Sequence, residues 1–153
     1  LLFDRVVREA GGRHCYVEGG VAATLIGRFA MLATVCALVS VRLETLAGGG
    51  QDQSAALTER FVEAMDAEHR QMGLNDPTLG KKVRKMVGSL ARRVGEWRAA
   101  TGQERPWDDV VRSSVYASAT PSGEQLAHAS AKLRELWQRL RSIAEAEVIE
   151  GNY

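Results

Sequence analysis

Three histidines, His14, His69 and His128, and two cysteines, Cys15 and Cys36, are the residues of this chain best suited to hold a metal or move a proton. Asp66 and His69 stand three apart, which on a helix puts a carboxylate and an imidazole on one face, the pairing that carboxylate-bridged di-metal bundles use. Those bundles need a second such pair and two further inward carboxylates, and the sequence supplies only the one pair. Glu124 and His128 lie one helical turn apart near a helix start, where a solvated face is expected. His14 and Cys15 are adjacent, a spacing that no metal motif uses. Cys36 falls inside an apolar run and reads as a small buried hydrophobe. Cys15 could bridge to it only if the fold brings the two together. No G-x-S-x-G elbow, no G-x-x-x-x-G-K-[ST] phosphate loop and no G-x-G-x-x-G after a strand occurs. The chemistry-bearing residues therefore point to no catalytic group, no metal and no cofactor, and they favour a binding protein over an enzyme.

The strongest charge pattern lies between positions 81 and 98. Lys81, Lys82, Arg84, Lys85, Arg92, Arg93 and Arg98 share that segment with the single carboxylate of Glu96, although the whole chain carries a net charge of only +1. Two readings stay open. The face can press on phosphate, either of lipid head groups or of ribosomal RNA. It can equally be a solvated face that balances Glu59, Glu63, Asp66 and Glu68 on the preceding segment. No aromatic side chain interleaves with these cations, so stacking on single-stranded bases is not expected, and no specific DNA partner is implied. On the apolar side, Phe29, Met31, Met65, Met72 and Met86 can line a groove for a client segment, since methionine adapts to varied partners, or they can simply pack a core.

The elements that must position these residues are helical. The chain has 153 residues, 45% hydrophobic and 25% charged, which suits one compact domain over 1–153 with no need of disulfides. Two cysteines without a pairing motif fit a reducing compartment. The longest apolar stretch, 29–41, is short of the roughly 20 residues that span a bilayer, and Arg28 and Arg42 bracket it, so a core helix is expected. The chain opens at Leu1 without a start methionine, so the absence of a targeting segment within it carries no weight. Spacings of three and four dominate, and period-two alternation is nearly absent. They predict a helix over 1–10, an irregular stretch to Gly20, and a broadly apolar helix over 24–47 ended by three glycines. A helix over 54–73 with Ser54 as N-cap follows. Next come a helix over 77–100 striped by Leu79, Val83, Met86, Val87, Leu90, Val94 and Trp97, and a short helix over 106–116. Ser122 and Gln125 form a capping box for a last helix over 123–148, whose seam of Leu126, Leu133, Leu136 and Leu140 is expected to dock within the domain. The fold class is all-α, a compact bundle of about six helices with no β-sheet.

Two blocks of residues carry a resemblance. The first is Gly20-Val21, Thr24, Gly27-Arg28-Phe29 and Met31-Leu32, closing with Arg42-Leu43. The second is Met65-Asp66, Arg70, Met72-Gly73-Leu74 and Asp76, then Gly80-Lys81-Lys82-Val83 and Lys85-Met86. In this order and at this separation they resemble the signature of the ubiquinol–cytochrome c chaperone family, with Tyr16 also fitting and the similarity strongest over 1–116. Ala23 stands where the family usually has aspartate, Gln71 where it has glutamate, Val35 where histidine is common and Ser114 where asparagine is common. Where such residues touch a client, that contact is changed here. The resemblance implies an assembly factor, not a catalyst. Its client would be newly made cytochrome b, and its product an assembled ubiquinol–cytochrome c reductase (bc1) complex. Some members work with a second assembly factor at the ribosomal tunnel exit, and an anionic membrane surface is a further implied partner. Arg28, Phe29, Met31, Met65 and Met72 would meet client or partner, Asp66, Arg70 and Asp76 would shape the corner between two helices, and Lys81, Lys82, Arg84 and Lys85 would bind the surface. The implied location is the inner face of a membrane, cytoplasmic in a bacterium or on the matrix side in a mitochondrion. The preference for alanine, glycine and arginine hints at a bacterium.

Overall fold

The computed structural model describes residues 2–46, 50–71, 79–116 and 119–153, with the side chains of 69–71, 79, 80 and 145 not described. Its described residues form eight α-helices and one π-helical turn, with no strand. The helices are α1 (Leu2–Ala10), α2 (Arg13–Tyr16), α3 (Leu25–Glu44), α4 (Gln51–Gln71), α5 (Leu79–Thr101), α6 (Trp107–Val111), α7 (Gly123–Ser142) and α8 (Glu145–Glu150), and the π turn is Arg112–Tyr116.

Helix α3 is the axis on which the others pack. It meets α1, α4, α5, α7 and the π turn. Its sequence explains that role, because Ala30, Ala33, Ala37 and Cys36 let neighbours approach while Val35, Leu38, Val39 and Leu43 fill the space, all of them nearly inaccessible to solvent. By length and composition α3 could cross a bilayer, but 67% of its apolar window is buried inside the protein, as a core helix requires. Thr24 caps its start by accepting the Gly27 N–H at 3.2 Å. Trp97, Phe61, Met65, Leu136 and Leu140 are the largest fully buried side chains outside α3. Each contributes on the order of 2 kcal/mol by leaving water.

Several boundaries differ from those the sequence predicts, each for a local reason. The stretch after Gly12 is not wholly irregular, since α2 forms there and buries Cys15. Helix α4 begins at Gln51 and not after Ser54. Gly50 turns the chain at φ +58° and its carbonyl accepts the Ser54 N–H at 2.9 Å, so Ser54 already lies in the first turn. The last helix breaks in two. Arg42 of α3 donates to the carbonyls of Leu140 at 2.7 Å and Ile143 at 3.2 Å, satisfying the end of α7. Ile143 and Ala144 are extended, and α8 folds back to bury Val148 completely. The segment 106–116 is likewise interrupted, because the chain widens into the π turn to bury Ser114. Val87, placed by its spacing on the apolar stripe, is 39% exposed. Gly73, Pro77 and the loop residue Ala117 lie outside the described residues.

Candidate functional site

Where the first turns of α3 meet the last part of α4 and the start of α5, the helices do not close on one another. They leave an open groove of about 350 Å³ lined by Leu25, Ile26, Phe29, Met65, Lys82, Lys85, Met86 and Ser89. Spacing builds it. Lys82, Lys85, Met86 and Ser89 repeat at three and four on α5, and Leu25 and Phe29 lie one turn apart on α3. The floor is apolar, one wall carries ammonium groups, and among the described residues no carboxylate lines it. At its lip Ile26 is 72% exposed, far more than an apolar side chain with an internal role.

Behind the floor lies a polar network. Arg93, read from the sequence as part of the basic face, is instead only 3% exposed. Its guanidinium donates to the Ser114 carbonyl from Nε at 3.2 Å and from Nη2 at 3.0 Å, and from Nη1 to the Ser89 hydroxyl at 2.5 Å. It also lies 5.5 Å from the centre of the Phe29 ring. The Ser114 hydroxyl accepts the Trp97 indole N–H at 3.0 Å and bonds the Thr34 hydroxyl at 2.6 Å. The π turn, α3 and α5 are thus joined through one serine. Burial, and then Arg92, lower the Arg93 pKa to about 10, which leaves the group charged near neutrality. The spacing Met86, Leu90, Arg93, Trp97 was the sequence signal for this position, since Arg93 occupies the seam site between two core residues.

The residues singled out by sequence divide around this groove. Phe29 lies in it and packs on Phe61 at 5.5 Å between ring centres. Lys82 and Lys85 line it, while Lys81 and Arg84 are not in its lining and lie along the rest of the basic face, Arg84 exposed like Lys81. Met65 is 2% exposed and forms a wall shared with a second hollow of about 190 Å³. Arg28 opens onto that second hollow and meets Glu68 at 3.7 Å, so it sits beside the groove rather than in it. Met31 is a correction. It is 4% exposed and faces away, against α1, α2 and α7, where it is core and offers no surface to a client. Asp66 is partly buried on α4. The side chain of Arg70 and the whole of Met72 and Asp76 lie outside the described residues. The basic face is also shorter than its sequence suggests, because Arg92 pairs with Glu96 at 3.0 Å and Arg98 with Glu44 at 2.6 Å. On α4, Glu63 pairs with Arg60 and Glu68 with Arg28.

Val35 and Ser114, two of the positions that depart from the family pattern, are 1% and 0% exposed. Both are internal as the chain stands, so those departures act on packing and touch no client directly. Ala23 is exposed, and the Gln71 side chain is not described.

Among the described residues, no group of three His, Cys, Asp or Glu side chains converges to hold a metal. Cys15 and Cys36 are both buried and unpaired to one another as free thiols. Burial pushes the Cys15 thiol up to about 11 and Cys36 higher still, so neither is poised to react. Sequence spacing gave no hint that His14 and His128 meet. His14 Nδ1 lies 3.2 Å from His128 Nε2, tying α2 to α7. Burial, followed by His128 and Lys132, lowers the His14 pKa below its ordinary 6.5. The unfolded chain therefore takes up that proton first. The stability held by this pair is present above pH 6.5 and is lost as pH falls below it. The expected result is a melting temperature that falls from pH 6.5 to about 5, and less steeply in His14→Gln. A fully coupled proton gives at most about 1.4 kcal/mol per pH unit, and the partial exposure of His14 reduces that. Identical slopes for the two proteins would show that the pair does not couple to folding.

Comparison with known proteins agrees with this architecture. A crystal structure of the Cbp3 homolog from Brucella abortus superimposes with a TM-score of 0.82 at 18% sequence identity, covering 99% of this chain and 84% of that one. At that identity the likeness shows the all-helical fold. The sequence matches none of the curated proteins compared with it. The family model for the ubiquinol–cytochrome C chaperone matches residues 17–153, so it takes in α7 and α8 as well as the two motif blocks. A match over that much of the sequence settles membership: the chain belongs to the ubiquinol–cytochrome c chaperone family.

Proposed function

We propose that this chain is a bc1 assembly chaperone that binds newly made cytochrome b, and that the groove between α3, α4 and α5 is where the client sits. The observation that carries the proposal is the groove itself, an apolar trough of about 350 Å³ bordered by lysines in a member of this family. A transmembrane client leaves the ribosome with apolar helices exposed to water. Laying one of them against Leu25, Phe29 and Met86 removes that surface from solvent in the helix-in-groove manner. The exposed Ile26 enlarges the apolar contact beyond the trough. Moderate affinity suffices, because a chaperone must let its client go.

The basic end of α5 serves a second contact. Lys81, Lys82, Arg84 and Lys85 would hold the loaded chaperone at an anionic surface, either the membrane or the ribosome. Changing all four to glutamate is expected to abolish that association in a flotation or ribosome-pelleting assay while circular dichroism stays that of the parent. Association that survives the fourfold change at ordinary salt would remove the basic face from the mechanism. The client is tested by affinity capture from the native host in mild detergent. Cytochrome b enriched over mature bc1 subunits supports the proposal. Its absence beside another abundant partner would mean a chaperone fold serving a different client. A second assembly factor recovered in the same capture would be the companion the family resemblance implies.

A further inference from the structure

The groove carries more cationic provision than an apolar client needs. Ser89 is the key. Its hydroxyl oxygen accepts an N–H of Arg93 at 2.5 Å, and among the described residues no acceptor takes its own proton. A helical serine ordinarily donates to the carbonyl one turn back, as Thr34 and Thr58 do here. Ser89 instead lines the groove. Its oxygen is drawn toward a guanidinium, which makes its O–H a stronger donor. The arginine behind it is 3% exposed, yet no carboxylate pairs with it among the described residues, whereas its neighbours Arg92 and Arg98 are each matched by a glutamate. Lys85 stands one turn before Ser89 on the same face, and Lys82 one turn earlier again.

We infer that this wall of the groove is an anion-reading subsite, and that the segment it receives is an apolar helix bearing one aspartate or glutamate that meets Lys85 and the Ser89 hydroxyl. This rests on the groove being the client's seat. A carboxylate there gains charge-assisted hydrogen bonds at the edge of an apolar trough, where water competes weakly. It also answers, across one hydroxyl, the charge of Arg93, whose nearby carboxylate Glu96 is bonded to Arg92 instead. The rest of the partner is apolar because the floor of Leu25, Phe29 and Met86 offers nothing polar to bond. A helix suits the site better than a single acyl chain, since the apolar surface runs out of the trough onto Ile26, which a thin chain in the trough would leave in water. The subsite also gives a direction to the bound segment, with its acidic turn toward α5. It lets the chaperone prefer one apolar helix over others of equal hydrophobicity.

The test uses the full chain and fluorescently labelled apolar helical peptides in which a single glutamate is walked along one turn, each with a glutamine twin and a lysine twin. Binding is read by anisotropy. For at least one register the glutamate peptide is expected to bind about tenfold tighter than its glutamine twin, the size of one charge-assisted bond. Ser89→Ala should reduce that ratio, and Lys85→Glu should turn the preference toward the lysine twin. Circular dichroism of each variant guards against misfolding, and the reversed preference of Lys85→Glu is itself a gain that an unfolded protein cannot show. If glutamate and glutamine peptides bind alike in every register, the subsite is wrong and the apolar groove stands. If no peptide binds at all, the groove as client seat falls with it. If phosphatidylglycerol vesicles bind in a Lys85- and Ser89-dependent way while the peptides do not, the anion is a lipid phosphate and the inference is overturned.

Discussion

Arg93→Lys is expected to destabilise the protein more than Arg93→Met does, although lysine is the closer relative in charge. The methionine variant should lose about 2 kcal/mol and the lysine variant about 3 to 4 kcal/mol. Arg93 is 3% exposed, and its planar fork reaches two acceptors at once, the Ser114 carbonyl on one side and Ser89 on the other. An ammonium is a compact point charge that cannot span both. It would stay buried and charged with fewer bonds, which is the costly case for an ion removed from water. Methionine keeps the stem volume against Phe29 and removes the charge. Among the side chains of the described residues, the Ser114 carbonyl then keeps only its long contact from the Thr34 hydroxyl at 3.4 Å, a loss of ordinary size for a buried acceptor. Urea denaturation midpoints of the three proteins decide it, provided the slopes agree. A lysine variant as stable as the parent would mean that the Arg93 bonds do not hold the π turn to α5.

That prediction turns on a residue whose role the sequence half concealed. Helical periodicity marks which face of a helix is turned inward, and it does so well where the inward residues are apolar. The stripe of Met86, Leu90 and Trp97 is buried as its spacing demands, and both bonds of the Ser122 and Gln125 capping box are formed. Arg93 stands in the same register, but charge outweighs register when a sequence is read by hydropathy. Only the partner that burial brings, Ser114, reveals why the position tolerates an arginine, and Ser114 becomes a partner because of a π turn that no local signal announces. The groove shows the same division. Phe29, Met65, Lys82 and Lys85 were legible as candidates, whereas Ser89 and the exposure of Ile26 depend on how far α3 and α5 stand apart. Met31 was read as either groove or core, and the choice between them depends on the neighbours that α3 meets, here α1, α2 and α7, which spacing along one helix does not reveal. The contact of His14 with His128 joins residues 114 positions apart and has no counterpart in spacing at all.

Adding one methyl group to this chain should have opposite effects at two glycines, and the larger effect falls where the groove begins. A Cβ at Gly27 would lie 1.7 Å from the Ala22 carbonyl oxygen and 2.7 Å from its carbon, both backbone atoms that cannot rotate away. The chain entering α3 would have to move. That movement strains the Thr24 cap, whose hydroxyl accepts the Gly27 N–H and whose carbonyl accepts the Arg28 N–H at 2.9 Å. Gly27→Ala is expected to cost about 3 kcal/mol or more, the upper range for overpacking joined to the loss of a cap. At Gly95, in the middle of α5, a Cβ meets nothing within 4 Å. There the same change removes backbone freedom from the unfolded chain and should stabilise by about 0.5 to 1 kcal/mol. Thermal unfolding of both variants tests the pair, and a Gly27→Ala protein that melts with the parent would refute the close approach of Ala22. The site has a functional consequence that Gly95 lacks. The turn fixed by Gly27 carries Leu25, Ile26 and Phe29 into the groove, so an altered entry to α3 should weaken peptide binding even at temperatures where the variant remains folded. The glycine of the Gly27-Arg28-Phe29 motif is thus required by the way the chain passes over its own backbone, and that crossing is what presents the apolar floor.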